Sequence, residues 1–560
     1  GKELHNIDQV LEIKPHDIIL PACPDSKDEK ADEVFINVAN FIDFLLMRFY
    51  GLKSFYNVRS KEELIGHLMA CIAPHNCACV VGRIIGFSKT QALLASPYIH
   101  AACRRDCLGF DNYVSIKKGN GWEIKKIGEL IESLNPAEKA DDFGTLKKEV
   151  NFSTFGNPGE EKVKEVTKHM PRKLLKIYLE DGRKLELTES HKVYLKEKIE
   201  KRANELKPED KLIASYQKNI EEKDIKEIFL PEIFQDREDI MLRNILEYLN
   251  NFENLGKKSN FCQRDSFPIK FVKDFLNKYG KDLKDLPPEA KIGIKRDKIS
   301  IPIRIPLDKE LLEIIGLYIA EGYARKNESK KGFYQIYISS MDNDLKKLIQ
   351  NVFLSHFGLK PSEDHFDHVT FSSRIIYELF KNYLKTGDMA KNKRIPSLFL
   401  NLKKEKLAAL LRGYFEGDGS VSLTDIRVTC DTISEGLKYD LSFVLSRFGI
   451  FTKFYEYEKE PGPKVRKFYI RKKRIIPKFK ITKITIPSNF VKNFKEIGFI
   501  SERKNKILGE LCEKSFRGMK IDFDENYVYP KVVKIEEIEE QKSYCFNVLP
   551  EHNFFANDIL

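Results

Sequence analysis

The strongest constraint on the fold is an internal repeat in the second half of the chain. One pattern occurs twice, in LLEIIGLYIAEGYAR at 311–325 and in LAALLRGYFEGDGSV at 407–421. Each copy has an apolar helical run, a glycine, an aromatic residue and an acid directly before another glycine. β-rich sequence and an amphipathic segment, ending in SHFGL or SRFGI, follow each copy. The pattern predicts two copies of one α/β unit, related by duplication and a pseudo-twofold axis.

The two predicted helices are expected to pack closely. On each helix two small residues lie four positions apart: Gly316 and Ala320 in the first, Gly413 and Gly417 in the second. Because no large side chain separates them there, the two backbones can approach one another. The helices would then end side by side at Glu321 and Asp418, each followed by a glycine suited to a left-handed helix cap.

These two acids predict a catalytic metal site. Carboxylates held together at the negative ends of two helices repel each other unless a divalent cation neutralises them. Hard oxygen ligands favour Mg²⁺, and such an ion beside a phosphodiester activates water and stabilises the leaving oxygen. We therefore expect Glu321 and Asp418 to be catalytic metal ligands for phosphodiester hydrolysis. The alternative is a pair of packed helices whose acids only cap them.

Sequence of β type lies on both sides of this repeated region. After Cys107, short β-rich runs alternate with Gly, Asp and Asn turns, and the same texture returns over 520–560. Residues 217–300 are highly charged and predict a helical linker region. Because large insertions are tolerated at exposed loops, we expect a β-domain that is split by an α/β insertion.

Three residues of the first β-rich part suit acyl chemistry. Cys107 opens the β-rich sequence, and TESH places Thr188 three residues before His191. Moving an acyl group from nitrogen to sulfur needs a thiol beside the peptide carbonyl and a donor that protonates the departing amide nitrogen. Cysteine and histidine suit these two tasks. A structural cysteine and an ordinary loop histidine are the alternative.

The order of these motifs resembles that of an intein. CLGFD comes first, TESH follows, the two repeats come next, and HNFFANDIL stands at the end. The resemblance implies a multidomain protein with an all-β splicing (Hint) domain over 107–216 and 520–560. That domain is split by an α/β pseudo-twofold domain at 301–515, which resembles the LAGLIDADG homing endonucleases and is expected to act as a monomer.

The resemblance also assigns roles to single residues. It implies that Cys107 is the first nucleophile, that Thr188 and His191 activate it, and that His552 aids the branched intermediate, with no cofactor for splicing. Lys393, in NKRIPSLFL, matches a family block whose lysine assists at the scissile phosphate, although an ordinary surface lysine is an equal alternative. Cys545 stands where many inteins have Asp, so its role stays open.

Residues 1–106 resemble a different family. The runs NVANFIDFLLMRFYGL and SPYIHAACRRD resemble the large subunit of archaeal family D DNA polymerase. This resemblance implies a mixed α/β polymerase segment whose partner is a small exonuclease subunit, with Arg104 and Arg105 as phosphate contacts. His75, Cys77 and Cys79 lack a second CxxC, and we do not expect them to bind zinc.

The charge balance favours a nucleic-acid partner. The chain has 96 Lys and Arg against 84 Asp and Glu, a formal net charge of +12. Basic and aromatic residues interleave over Lys464–Lys483, which predicts a β-ribbon that contacts double-stranded DNA, although a solvated basic strand is the alternative.

The sequence also suggests a location and leaves two further readings open. The absence of a signal peptide and of long apolar runs, together with ten cysteines in 560 residues, favours a reduced, cytoplasmic location without membrane contact. The ends at Gly1 and Leu560 suggest a piece of a longer product that can attempt only the first acyl shift. Alternative functions are a decayed intein that binds DNA without cutting, and a polymerase part with the intein as passenger.

Overall fold

The computed structural model divides the chain into two units, Gly1–Cys107 and Leu108–Leu560. Within them it describes residues 14–24, 29–71, 80–89, 93–95, 107–119, 121–140, 144–157, 159–255, 260–327, 333–361, 367–424, 426–460, 462, 471, 477–514, 521–549 and 553–560. Among these residues, no helix has the length and apolarity needed to cross a membrane.

The first unit combines a helix with a four-stranded sheet. Its elements are β1 (Asp17–Pro21), α1 (Ala31–Arg48), β2 (Leu68–Cys71), β3 (Val80–Ser88) and β4 (Leu94–Ala95). The sheet order is β2-β3-β1-β4, and β1 pairs in parallel with β3. Acids in the first turn of α1 and Arg48 in its last turn complement the helix dipole. Ile18, Leu20, Ala39 and Ile84 form the core.

The second unit begins with the β-rich part predicted from the sequence. Its elements are β5 (Leu108–Gly109), β6 (Tyr113–Lys118), β7 (Gly121–Lys126), α2 (Ile127–Leu134), β8 (Glu138–Lys139), β9 (Leu146–Phe155), β10 (Glu160–Leu179), β11 (Lys184–Thr188), β12 (Lys192–Tyr194), β13 (Glu200–Arg202) and β14 (Ala214–Ser215). Burial alternates along the start of β10, because one of its faces covers the core.

Residues 217–300 differ from the expected helical linker. They contain β15 (Glu227–Phe229), α3 (Leu230–Phe234), β16 (Ile240–Arg243), α4 (Leu246–Asn250), α5 (Asn260–Gln263), β17 (Ser266–Pro268), α6 (Ile269–Lys278) and β18 (Lys291–Ile294), followed by β19 (Ser300–Pro302) and β20 (Arg304–Pro306). Four of the strands form an antiparallel sheet in the order β17-β16-β18-β19. The prediction of a purely helical region was wrong, because short apolar strands such as IMLR and KIGI pair and bury their side chains.

The repeated region folds as two similar α/β repeats within the second unit. The first contains α7 (Lys309–Glu321), β21 (Gly322–Asn327), β22 (Phe333–Ser339), α8 (Asn343–Phe357), β23 (His368–Ser372) and α9 (Arg374–Glu378). The second contains α10 (Lys404–Gly417), β24 (Gly419–Ser422), β25 (Arg427–Thr432), α11 (Glu435–Ser446), β26 (Lys453–Lys459), β27 (Phe479–Ile486), α12 (Val491–Phe494) and α13 (Glu502–Glu513). Both follow the order helix, two strands, helix, strand, which confirms the predicted duplication.

The chain then returns to the β-rich domain with β28 (Tyr527–Val528) and β29 (Val532–Leu549). β29 pairs along β10 from Lys162 and Leu549 to Leu179 and Val532. The resulting sheet has the order β11-β5-β29-β10-β9-β6-β7, with β8 beside β9. A single sheet is therefore built from sequence on both sides of the inserted region.

Candidate active sites

The first site lies where α7 and α10 pack against each other. A Cβ atom on Gly316 would overlap the carbonyl oxygen of Leu410, and one on Gly413 would overlap that of Glu313. Near the helix ends, a Cβ on Gly417 would lie 2.6 Å from the Cβ of Ala320 and 3.0 Å from Cγ of Glu321. The predicted close approach at small residues is thus confirmed, and it brings the two acidic helix ends together.

The glycines that follow the acids have a different role from the expected one. Gly322 has φ −93°, and Gly419 is not in the left-handed region either. The predicted left-handed caps are therefore wrong. Instead, a Cβ on Gly322 would meet the backbone and ring of Tyr318, and one on Gly419 would meet the backbone of Phe415. Glycine is needed there because the chain turns back closely onto its own helix to start a strand.

The two carboxylic acids have raised pKa values. Burial first, and then the nearby charge of Glu321, raise the pKa of Asp418 to about 8. Partial desolvation also raises the pKa of Glu321, although Lys504 opposes this shift and the side chain reaches solvent. A pair of acids whose charged forms are disfavoured is suited to a divalent cation, since the cation would stabilise both charges.

Lys393 lies beside this pair. Its Nζ is buried, donates a hydrogen bond of 2.7 Å to the carbonyl oxygen of Tyr318 and lies 3.8 Å from the centroid of the Tyr318 ring. Burial lowers the pKa of Lys393 to about 7, while the charge of Asp418 acts in the opposite direction. Lys393 is therefore not the ordinary surface lysine that the sequence left open.

Lys504 occupies a similar place in the second repeat and was missed by the sequence analysis. Its Nζ donates hydrogen bonds to the carbonyl oxygens of Glu416 at 2.6 Å and Gly419 at 3.1 Å, next to Asp418. The triplet Lys-Asn-Lys occurs both at 391–393 and at 504–506, but Lys393 is the last residue of its triplet and Lys504 the first, so the sequence alone does not match the two lysines. Within the described part of the chain, no group of three or more His, Cys, Asp or Glu side chains could hold a metal.

Each repeat also presents a polar sheet face next to its acid. In the first repeat, paired residues form the row Arg325, Gln335 and Ser372. The second repeat has two such rows. One consists of Asp431, Lys483 and Tyr455, and the other of Ser420, Thr429, Thr485 and Lys453. Buried apolar residues such as Ile336 and Ile484 occupy the opposite faces. Most of the predicted basic ribbon, 464–470 and 472–476, lies outside the described residues, and its last residues, 479–483, form the start of β27.

Strands β5 and β11 lie next to the predicted splicing residues in the sequence. Cys107 is fully buried and directly precedes this strand. Leu108 pairs with Leu187, the residue before the buried Thr188, and also with Tyr544 of β29. The backbone N–H of His191 donates a hydrogen bond to the carbonyl oxygen of Thr188, so both residues share one turn at the end of β11.

Other predicted residues fall in different places. Cys545 lies in β29 opposite Thr167 and is partly exposed. His552 lies outside the described residues, as do Arg104, Arg105 and the His75, Cys77 and Cys79 group, so their predicted roles stay predictions.

A β-domain interrupted by a two-repeat domain with paired acidic helices defines a splicing scaffold that carries an inserted domain. The chain belongs to the intein splicing domain family, which matches residues 116–560. Residues 1–116 match a second family, the catalytic domain of the DNA polymerase II large subunit DP2. Both resemblances drawn from the sequence are therefore confirmed.

Two similar proteins are DNA polymerase II large subunits. The DNA polymerase II large subunit of Thermococcus kodakarensis is 33% identical over 100% of this chain and 32% of its own length. That of Haloquadratum walsbyi is 25% identical over 80% of this chain and 22% of its own length. This chain thus spans about a third or less of these proteins.

Two solved structures are similar to parts of the chain. The Mvu transcription factor IIB mini-intein has 21% identity and a TM-score of 0.19, and the match covers 20% of this chain and 69% of that chain. I-DmoI in complex with DNA and Ca has 13% identity and a TM-score of 0.26, and the match covers 36% of this chain and 97% of that chain.

Proposed function

We propose that residues 107–560 form an intein that splices itself out of a polymerase subunit and also cuts double-stranded DNA as a monomeric homing endonuclease. The observation that carries the proposal is the meeting of Glu321 and Asp418 at the ends of two glycine-packed helices. Two acids held next to each other, one of them strongly desolvated, are unnecessary for packing alone and are typical of functional sites.

In the endonuclease, Glu321 and Asp418 would hold Mg²⁺. When bound, the ion would polarise the scissile phosphate and favour hydrolysis. Asp418 must lose its proton before it can act as a ligand, since its pKa lies at about 8. Lys393 has a pKa of about 7 and carries a positive charge in part of the molecules at neutral pH. In a buried site, that charge would stabilise negative charge on the phosphate.

The two polar sheet faces are the proposed DNA interface. Each strand pair starts directly after an acid, so DNA lying on both faces would place its backbone at the acids. Arg325 and Gln335 in the first repeat, and Lys483 and Tyr455 in the second, offer donors and aromatic surface for phosphates and base edges. The formal net charge of +12 supports binding to a polyanion.

In the splicing domain, the thiol of Cys107 would attack the carbonyl carbon of the preceding residue. The C–N bond to the Cys107 nitrogen breaks, the acyl group moves to sulfur and the amide nitrogen gains a proton. Thr188 and His191 would assist this step, because they lie in one turn at the end of the strand that pairs with β5. His552 is proposed for the later step at the other splice junction, and no cofactor is required.

Residues 1–106 are proposed to be the polymerase side of the first splice junction. In the complete polymerase, this segment would work on DNA together with a small exonuclease subunit. Such a host would act in the cytoplasm, where reducing conditions keep Cys107 a free thiol.

Two assays on the 560-residue chain test the proposal. Excess thiol should release residues 1–106, as measured by mass, and Cys107→Ala should abolish this release while Cys262→Ala, at a buried cysteine elsewhere, should retain it. With Mg²⁺, the chain should cut a plasmid that carries the polymerase gene without the inserted segment. Binding of that plasmid without any cut would instead support the decayed intein, and no thiol-dependent release would overturn the splicing proposal.

A further inference from the structure

The last residues of the β-rich domain form a tight hairpin. Ala556 and Ile559 exchange two backbone hydrogen bonds of 2.9 Å, which leaves Asn557 and Asp558 as a two-residue turn. Both turn residues are left-handed, with φ 51° and 63°. Glycine adopts this conformation with the least strain, so an aspartate at the second position indicates that its side chain is needed.

The Asp558 carboxylate lies in a buried cluster of charged and polar groups. Lys218 donates to one carboxylate oxygen, while Ser442 Oγ donates to the other at 2.7 Å and Arg183 Nη2 lies 3.4 Å from it. The side chains of Lys218 and Arg183 are 2% and 1% exposed. Burial acts in the opposite direction, but Lys218 and Arg183 hold the pKa of Asp558 below its usual value.

Part of this cluster belongs to the second repeat of the inserted domain. Ser442 lies in α11, and the carbonyl oxygen of Thr452, just before β26, accepts a 2.8 Å hydrogen bond from Arg183. The Arg183 guanidinium also lies 4.7 Å from the ring centroids of both Phe451 and Phe454. The contacts that fix Asp558 therefore come from both the splicing scaffold and the inserted domain.

The hairpin is connected to the strand that follows Cys107. The side chain of Asn557 accepts a hydrogen bond from the backbone of Tyr113 at 2.7 Å and donates one to Asn112 at 3.0 Å. The Asn112 side chain in turn donates to the carbonyl oxygen of Gly109 at 3.1 Å, in β5. A shift of the hairpin would thus disturb the strand that begins directly after the proposed nucleophile.

We propose that Asp558 is a positioning residue for splicing. Through it, the second repeat holds the C-terminal hairpin and, by way of Asn557 and Asn112, the strand after Cys107. The inserted domain is then part of the splicing scaffold rather than a separable passenger. This inference rests on the proposed splicing function, and the test below separates the two.

The test compares variants of the 560-residue chain by two measurements: hydrogen exchange at the amides of Ala556 and Ile559, and the rate of thiol-dependent release of residues 1–106. Asp558→Gly suits the backbone and removes only the carboxylate. We expect about tenfold faster exchange at these amides and about tenfold slower release, because the hairpin opens locally. Ser442→Ala should change both in the same direction by a smaller factor.

Glu435→Gln is the matched control, because Glu435 lies on the same helix as Ser442 and its 3.2 Å ion pair is with Lys126 of β7, outside the Asp558 cluster. Neither measurement should change in this variant. Asp558→Asn combined with Lys218→Met removes both charges. If Asp558 positions the hairpin, this double variant recovers thermal stability but keeps the slow release. Recovery of both, or an Asp558→Gly variant like the parent protein, would overturn the inference. If the parent protein releases nothing, the splicing proposal fails, while hydrogen exchange still decides whether Asp558 clamps the hairpin.

Discussion

Each repeat has an acid and a lysine at similar positions, but the two copies differ in the burial and the pKa values of these groups. In the first, Glu321 reaches solvent, while Lys393 is buried with its pKa lowered to about 7. In the second, Asp418 is the more buried acid, with its pKa raised to about 8, whereas Lys504 is 3.5 Å from the carboxylate of Glu416. The strongly perturbed groups are thus the lysine of one repeat and the acid of the other.

We propose that this difference reflects one working centre shared by the two repeats. The charge of Asp418 acts on the pKa of Lys393, so the two groups are electrostatically coupled. Lys504 contacts Glu416, and Glu416 also accepts hydrogen bonds from the backbones of Ile500 and Ser501 at 2.9 Å. The repeats thus share similar positions for these residues but differ in the burial of the side chains.

The largest expected effect is that of removing the buried acid. Asp418→Asn should lower DNA cleavage about 1,000-fold, because the cation loses a charged ligand that the amide cannot replace. Glu321→Gln should have a smaller effect, since its carboxylate is less desolvated. Plasmid cleavage rates at saturating Mg²⁺ measure both, with Glu405→Gln, at an exposed residue early in α10, as the control. Equal losses in the two acid variants would show that the repeats contribute symmetrically.

A single added methyl group should disrupt the contact between α7 and α10. Gly413→Ala should destabilise the protein by about 3 kcal/mol, because the new methyl group overlaps the backbone of Glu313 and two packed helices must separate. Gly509→Ala is the matched control: that glycine also lies within a helix, but nothing is within 4 Å of its Cβ position. The control should stabilise by about 0.5–1 kcal/mol, as alanine is the better helix former. Denaturant unfolding measures both, and equal effects would contradict the packing argument.

The two lysines should separate activity from stability. Lys393→Met should reduce cleavage about 100-fold, the effect of losing one preorganised group at the reacting phosphate, with little loss of stability because a buried charge is also removed. Lys504→Met should mainly lower the melting temperature, since it removes the ion pair to Glu416 and the hydrogen bonds to the carbonyl oxygens of Glu416 and Gly419. A Lys504→Met variant with normal stability and lost cleavage would show that the second lysine, too, acts on DNA.

Much of this architecture could be predicted from the sequence, for identifiable reasons. The helix pair was predictable because its four small residues leave a regular mark at fixed spacing. The left-handed caps were not, since the same glycine can serve either a positive φ or a close approach, as at Gly322. The small sheet at 240–302 was missed because its strands are short and embedded in charged sequence.

The least predictable features depend on burial, which a local pattern does not contain. The lowered pKa of Lys393 and the buried cluster around Asp558 both depend on residues far apart in the chain. Asp558, for example, meets Lys218 and Ser442 only after the inserted domain has packed on the β-domain. Likewise, the contacts of Lys504 depend on where α13 lies.

The smallest effect concerns pH and would sharpen the comparison of the two charged groups. Below pH 8, Asp418 holds a proton that the cation must displace, so Mg²⁺ affinity should rise about tenfold per pH unit and level off above pH 8. In the cation-free protein, the raised pKa of Asp418 means that stability falls as the pH rises from the ordinary aspartate pKa of 3.8 towards about 8. The lowered pKa of Lys393 has the opposite effect, since stability rises between about pH 7 and the ordinary lysine pKa of 10.5. Together the two groups predict a stability minimum near pH 7 to 8, and Mg²⁺ should remove the decline on its acid side by binding the charged form of Asp418. Titration calorimetry and melting curves across this pH range test the prediction. Asp418→Asn should abolish both the pH dependence of Mg²⁺ affinity and the acid-side decline in stability.

A parent protein whose Mg²⁺ affinity is independent of pH from 6 to 8 would show that Asp418 is already charged. The division of roles between the repeats would then have to rest on Lys393 alone.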